Sequence, residues 1–156
     1  MKPFFMMVII LFNSAAFAST NSCFAEETNP ATQQRFASLQ DYNSFKESWD
    51  YQSPGIVNPI HLLRAYQIYK SEKNLALSLG TDKLAHCYLG CRISQVTNYH
   101  TTDYVGWLKE LRDLTDCNPQ SFFDEEDYRA TIRGGVLGGS QPDAKSCESA
   151  CHQIYN

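Results

Sequence analysis

Two pairs of cysteines, each pair four residues apart, constrain the fold of this chain more than any other feature. Cys87 and Cys91 form the first pair, and Cys147 and Cys151 form the second. Residues four apart on an α-helix lie on one face, so each pair presents two sulfurs in the same direction. Two such faces can join through two disulfides, each worth about 2 to 4 kcal/mol. An antiparallel pairing gives Cys87–Cys151 and Cys91–Cys147, and a parallel pairing gives Cys87–Cys147 and Cys91–Cys151.

The other two cysteines, Cys23 and Cys117, are expected to pair with each other. For the cysteines as a whole, the alternative is a zinc site that uses their thiols with His86 or His152. Structural zinc motifs usually space their cysteines by two to four residues in loops, and an oxidising compartment favours disulfides. We therefore predict disulfides rather than zinc.

The N-terminus predicts export. Lys2 supplies a positive charge, residues 4–12 are uninterrupted apolar, and Ala16-Phe17-Ala18 matches a small-x-small cleavage site. Nine apolar residues are too few to cross a bilayer, which takes about 20 helical residues, and no later segment is long and apolar enough. A lipid anchor at Cys23 is the alternative, but Thr20-Asn21-Ser22 matches a lipoprotein signal poorly. We expect a periplasmic or secreted protein with no transmembrane segment after signal removal.

The mature chain is predicted to be all-α, a compact disulfide-stapled bundle of about five to six helices. Apolar positions recur every three to four residues, and Asn58-Pro59 has the features of an N-cap followed by proline at the first helical position. Thr81 or Asp82 is expected to begin the third helix, and Thr101 or Thr102 the fourth. The predicted segments are a signal peptide (1–18), a polar tail (19–32) and a single helical domain (33–156).

The composition agrees with one packed domain and argues against nucleic acid as a partner. The chain has 156 residues, of which 43% are hydrophobic, with 13 Lys+Arg against 17 Asp+Glu and a net charge of -4. A nucleic-acid-binding protein needs a basic face to neutralise phosphates, and this acidic balance does not supply one.

Three polar pairs fall on three successive predicted helices, and each pair shares one helix face. A glycine lies one turn from each pair, and a glycine in a helix interior costs up to about 1 kcal/mol relative to alanine, so these glycines indicate close contact between the helices. Carboxylates and an imidazole that converge inside a bundle can bind a divalent metal or act as general acid and base. The pairs are Asp82/His86, Glu110/Asp113 and Asp127/Thr131, and the glycines are Gly90, Gly106 and Gly134.

A purely structural interpretation of the same residues is also open. Asp82 can serve only as a helix cap, and His86 can be a core histidine whose ring nitrogens are satisfied by hydrogen bonds. Glu110 and Asp113 can be solvated partners of the neighbouring basic residues. Spacing alone does not distinguish these structural roles from a role in metal binding or catalysis.

The residues around these pairs resemble two sets of bacterial sequences over about residues 81–151. Small envelope lipoproteins of the YfiM type share the order DKxxH (Asp82 to His86), KExxD (Lys109 to Asp113) and Dxxx(D/N)xxG (Asp127 to Gly134). C-terminal segments of Rhs-type polymorphic toxins share HCYxxC, from His86 to Cys91, and a closing SCxxC-like cysteine pair. VanZ-like proteins are similar more loosely. Thr131 departs from the pattern, since it stands where these sequences carry Asp or Asn.

The resemblance implies that His86, Glu110, Asp113 and Asp127 act as one unit. From their chemistry we expect these four residues to be the ligands of a divalent metal ion. If the kinship with toxins extends to function, it implies a hydrolase. His86 would then be base or ligand, Glu110 and Asp113 ligands or general base, and Lys83 would stabilise anionic charge. The substrate would be a phosphoester, lipid or peptidoglycan bond of the envelope.

The alternative function is a non-catalytic periplasmic protein whose polar pairs form a buried network. Aromatic residues are frequent in the N-terminal half, where they would bind a partner, although most of them are expected in the core. These residues are Tyr42, Trp49, Tyr51, Tyr66 and Tyr69.

Overall fold

The computed structural model describes residues 27–30, 32–118 and 120–155, and within them the protein is all-α, as predicted. The predicted signal peptide and Cys23 lie outside the described residues. Six helices and one short antiparallel strand pair make up the described part of the chain. The elements are β1 (Thr28–Asn29), β2 (Gln34–Arg35), α1 (Leu39–Tyr51), α2 (Pro59–Ser78), α3 (Asp82–Val96), α4 (Tyr99–Thr115), α5 (Glu125–Gly138) and α6 (Ala144–His152).

The strand pair was not expected, and it lies across the predicted boundary between the polar tail and the helical domain. Thr28 pairs with Arg35, and Asn29 pairs with Gln34. Glu27, which precedes β1, is buried, with 2% of its surface exposed. The last residues of the predicted tail therefore pack against the helical domain.

Side-chain caps fix the helix starts. Asn58 caps α2 ahead of Pro59, and Thr81 caps α3 by accepting a hydrogen bond from the Leu84 amide, both as predicted. The predicted cap of α4 is wrong: the helix is capped by Asn98 instead of Thr101 or Thr102.

The reason for the different cap is the reach of the Asn98 side chain. Its Oδ1 accepts hydrogen bonds from both the amide (2.8 Å) and the hydroxyl (2.9 Å) of Thr101. Thr102 is fully buried in the first turn. Neither threonine is available as a cap.

The helices α3, α4 and α5 are held close together by glycines. A Cβ at Gly134 would lie 1.9 Å from the carbonyl oxygen of Cys87, and a Cβ at Gly90 would lie 2.2 Å from that of Thr131. A Cβ at Gly106 would lie 3.0 Å from Thr131 Cγ2. The predicted close contact at these glycines is confirmed, and it brings the polar faces of the three helices together.

An aromatic core joins α1 to α4. The indole N–H of Trp49 donates to the carbonyl of Trp107 (3.2 Å), and that of Trp107 donates to the carbonyl of Trp49 (2.9 Å). Of the five aromatic residues singled out in the N-terminal half, Tyr42 and Trp49 are buried, whereas Tyr51, Tyr66 and Tyr69 are exposed. The expectation that most of them lie in the core is therefore wrong.

Two disulfides join α3 to α6 in the antiparallel arrangement, Cys87–Cys151 and Cys91–Cys147. All four sulfurs lie in residues with no exposed surface. Cys117 is disulfide-bonded as well. This use of cysteine fits an oxidising compartment. Among the helices of the described residues, none is both long and apolar enough to cross a membrane.

Candidate functional site

The candidate site lies where the first turns of α3 and α5 meet the middle of α4. Its residues come from turns that the caps and glycines hold in place. Asp82, Lys83 and His86 come from α3; Lys109, Glu110 and Asp113 from α4; and the N-cap Asp124, Asp127 and Thr131 from α5.

The imidazole of His86 faces two carboxylates. Its Nε2 lies 3.7 Å from Asp127 Oδ2 and 3.9 Å from Asp82 Oδ1. Together these residues offer one ligand atom each, all within 4.8 Å of one another, so the group can hold a metal ion. Asp127 is buried and the Asp82 side chain is 65% exposed, so the group connects the interior with solvent.

The other ring nitrogen of His86 contacts a threonine. Nδ1 lies 3.1 Å from Thr131 Oγ1, and this hydroxyl is also 3.0 Å from the backbone carbonyl oxygen of Asp127. Burial lowers the pKa of His86, and the positive charges of Lys109 and Lys83 add to this effect, although Asp127 and Asp82 oppose it. The imidazole is therefore neutral at pH 7.

Lys83 bridges two carboxylates of α5. Its Nζ donates to Asp127 Oδ1 at 2.5 Å and to Asp124 Oδ2. Burial opposes the charge on the lysine, but these hydrogen bonds outweigh it and raise the pKa of Lys83. Burial raises the pKa of Asp127, against the opposing effects of His86 and Lys83. One oxygen of Asp127 thus binds the lysine, and the other faces the imidazole.

Glu110 is fully buried below the first turn of α5. Its Oε2 accepts a hydrogen bond from the Asp124 amide at 2.9 Å, and its Oε1 has no hydrogen-bond partner. Burial raises the pKa of Glu110 to about 8, with further contributions from Asp113 and Asp127. Glu110 is therefore mostly protonated at pH 7 when no cation is bound.

Asp113 is buried and forms an ion pair with Lys109, one turn earlier on α4. Burial opposes the charge of this lysine, but the hydrogen bond to Asp113 outweighs it and raises the pKa of Lys109. Lys109 is thus the partner of a buried carboxylate, not a fully solvated basic neighbour of it.

The structure brings together part of the predicted unit. His86 and Asp127 belong to the group that can hold a metal, and Asp82 is its third member. Since Thr81 is the helix cap, Asp82 is the first residue of α3 and lies one turn before His86. Glu110 and Asp113 lie in the same cluster but outside that group.

Sequence reasoning missed two acidic residues near the site. Asp124 caps α5 and binds Lys83, and its position before the acidic first turn of that helix could have indicated this role. Burial, with Asp116 and Asp113, raises the pKa of Glu27 to about 7. No pattern in the sequence distinguishes Glu27 from the other polar residues of its segment.

Comparisons of the chain with models of known protein families, with curated proteins and with solved structures found no match.

Proposed function

We propose that this chain is an exported protein in which Asp82, His86 and Asp127 bind a divalent metal ion that serves in hydrolysis. The observation that carries the proposal is the spacing around His86 Nε2, at 3.7 and 3.9 Å from the two carboxylate oxygens. These separations are too long for direct hydrogen bonds. Two ligand atoms on one tetrahedral ion, each about 2.1 Å from it, are about 3.4 Å apart. The two distances from His86 Nε2 would shorten by about 0.3 to 0.5 Å around such an ion, and the distance between the two carboxylate oxygens, which is within 4.8 Å, by at most about 1.4 Å.

The charge of the cluster supports a cation. With Glu110 protonated, four carboxylates (Asp82, Asp113, Asp124 and Asp127) remain against the ammonium groups of Lys83 and Lys109. The imidazole of His86 is neutral and adds nothing to this balance. Water compensates part of this charge, since the side chains of Asp82 and Asp124 are 65% and 45% exposed, and one divalent ion beside His86 would supply the remaining two positive charges.

The number of ligands favours a catalytic role. Structural zinc sites are closed by four protein ligands, whereas catalytic sites combine three with a position for water or substrate. Here the described residues supply three ligands, and the exposed Asp82 places the group at the surface. An ion held there would lower the pKa of a bound water and favour hydrolysis of a substrate that reaches this opening.

The proposed roles of the neighbouring residues follow from their contacts. Lys83 lies against Asp127 and would stabilise negative charge that develops on the substrate. Glu110 is fully buried with one carboxyl oxygen unpaired, and it would act as a general base only through a water molecule that enters the cluster. Asp113 would keep Lys109 in place.

The proposed location is the periplasm or the exterior of a bacterial cell, and the proposed substrate is a phosphoester, lipid or peptidoglycan bond. The predicted signal peptide and the disulfides support export. The resemblance to YfiM-type lipoproteins and Rhs-type toxin segments supports an envelope role and a hydrolytic activity.

Calorimetric titration of the oxidised, chelator-treated protein with Zn²⁺ or Mn²⁺ tests the site. We expect one equivalent to bind, and His86→Ala and Asp127→Asn to abolish binding while circular dichroism still shows the helical fold. His100→Ala changes an exposed histidine of α4 and serves as the matched control. A wild-type protein that binds neither ion, or variants that bind as well as wild type, would refute the metal site.

Expression with an intact signal tests hydrolysis. We expect growth arrest when the wild type is exported to the periplasm, and normal growth with an equally exported His86→Ala variant. Metal binding without any growth defect would retain the metal site and argue against a toxin-like hydrolase.

A non-catalytic, partner-binding protein is the second candidate. The outer face of α2 supports it, since Ile60, Leu63 and Tyr66 are each more than half exposed. In this case the wild type would be metal-free, and both His86→Ala and Glu110→Ala would simply unfold because they disrupt a buried polar network.

A further inference from the structure

We propose that Thr131 is a positioning residue that holds His86 in the tautomer with hydrogen on Nδ1, so that the lone pair of Nε2 faces Asp82 and Asp127. The tautomer follows from contacts within the chain. Only its consequence for metal affinity rests on the proposed function.

The hydroxyl group of Thr131 has a single hydrogen to donate. Oγ1 lies 3.0 Å from the carbonyl oxygen of Asp127, one helical turn earlier, and 3.1 Å from His86 Nδ1. A carbonyl oxygen only accepts hydrogen bonds, whereas a neutral imidazole has one nitrogen that donates and one that accepts. Both contacts are therefore hydrogen bonds only if Thr131 donates to the carbonyl and His86 Nδ1–H donates to Thr131.

The opposite tautomer satisfies fewer groups. If Nε2 carried the hydrogen, Thr131 could donate either to Nδ1 or to the carbonyl of Asp127, and one contact would be lost. Nε2–H would then point toward carboxylate oxygens at 3.7 and 3.9 Å, beyond the length of a hydrogen bond. Because Thr131 is buried, with 6% exposure, little water is available to compensate.

Packing keeps the Thr131 hydroxyl where it is. The close approach of Gly90 to the Thr131 backbone fixes α5 against α3, and the Thr131 methyl group lies beside Gly106 of α4. The side chain is thus enclosed by three helices, and its hydroxyl faces His86. A histidine ligand whose second nitrogen donates to a fixed acceptor is oriented for metal binding, and loss of such an acceptor typically lowers affinity 10- to 100-fold.

Long-range ¹H–¹⁵N NMR of histidine-labelled, metal-free protein reads the tautomer directly. The chain has four histidines, and the His86 signals are those that disappear in His86→Ala. We expect Nδ1–H in the wild type. Thr131→Val keeps the methyl group but loses the hydroxyl, and it should populate Nε2–H. Thr131→Ser retains the hydroxyl and should restore the wild-type tautomer.

Titration with Zn²⁺ completes the test, with an expected 10- to 100-fold loss of affinity in Thr131→Val and near-wild-type affinity in Thr131→Ser. An Nε2–H tautomer in the metal-free wild type would overturn the inference without any variant, and so would Nδ1–H retained in Thr131→Val. A wild type that has the expected tautomer but binds no metal would refute the proposed function and leave this inference standing.

Discussion

Replacing the buried Glu110 by glutamine should remove a large part of the pH dependence of stability. The carboxyl is fully buried, and only one of its oxygens has a hydrogen-bond partner, the Asp124 amide. Glutamine can keep this hydrogen bond through its carbonyl oxygen but does not ionise. The substitution therefore separates the effect of the negative charge from that of the side-chain shape.

The size of the effect follows from the pKa. Burial raises the pKa of Glu110 from 4.5 to about 8, so the folded protein holds this proton more tightly than the unfolded chain does. The contribution of the protonated Glu110 to stability is therefore fully present below pH 4.5 and is lost as the pH rises toward 8. Since one pKa unit corresponds to about 1.4 kcal/mol, ionisation of Glu110 should cost the metal-free protein about 5 kcal/mol over this range.

Urea unfolding in the presence of a chelator, at intervals from pH 4.5 to 9, measures the effect. Between pH 4.5 and 9, the free energy of unfolding of Glu110→Gln should rise by about 5 kcal/mol relative to that of wild type, whatever the difference between the two proteins at pH 4.5. Glu47→Gln, on the exposed face of α1, is the control and should follow the wild-type curve. Part of the slope should remain in Glu110→Gln, because the pKa of Glu27 is also raised, to about 7. Identical pH profiles for Glu110→Gln and wild type would refute the reasoning.

Two further predictions concern the packing of α3. Gly134→Ala should lower the free energy of unfolding by about 3 kcal/mol or more in thermal or urea unfolding, because its Cβ would lie 1.9 Å from the Cys87 carbonyl oxygen. Little change is expected in Gly139→Ala, where the added Cβ would lie 3.8 Å from the Val136 carbonyl oxygen. Equal stability of the two variants would contradict the close contact. Replacing Cys91 and Cys147 together by serine should cost about 2 to 4 kcal/mol, and a variant as stable as wild type would show that this bridge adds nothing.

Much of the fold could be predicted from local signals. The Asn58-Pro59 start of α2 and the Thr81 cap of α3 depend on a few adjacent residues, so they can be recognised in the sequence. The cap of α4 was missed because Asn98, Thr101 and Thr102 are all polar residues near the helix start. Which of them bonds the free amides depends on burial, and burial is not a local property.

The candidate site was only partly predictable for a related reason. The three-to-four-residue spacing correctly placed His86, Glu110 and Asp127 on faces that meet, and the glycines beside them marked the contact. Which atoms meet depends on the rotation and height of each helix relative to its neighbours, which spacing does not encode. The group that can hold a metal therefore includes Asp82, whereas Glu110 bonds to the backbone of α5.

From the sequence alone, each cysteine pair could be placed on one face of a helix, because helical geometry fixes the relative direction of residues four apart. The spacing does not show whether the two helices are parallel or antiparallel, because either orientation places the two sulfurs of one pair opposite the two sulfurs of the other. In the folded protein the two helices are antiparallel, so Cys87 bonds to Cys151 and Cys91 bonds to Cys147. Which carboxylates surround His86 also depends on the packing of the helices, because the close backbone contact of α3 with α5 sets the distances between side chains that are far apart in the chain.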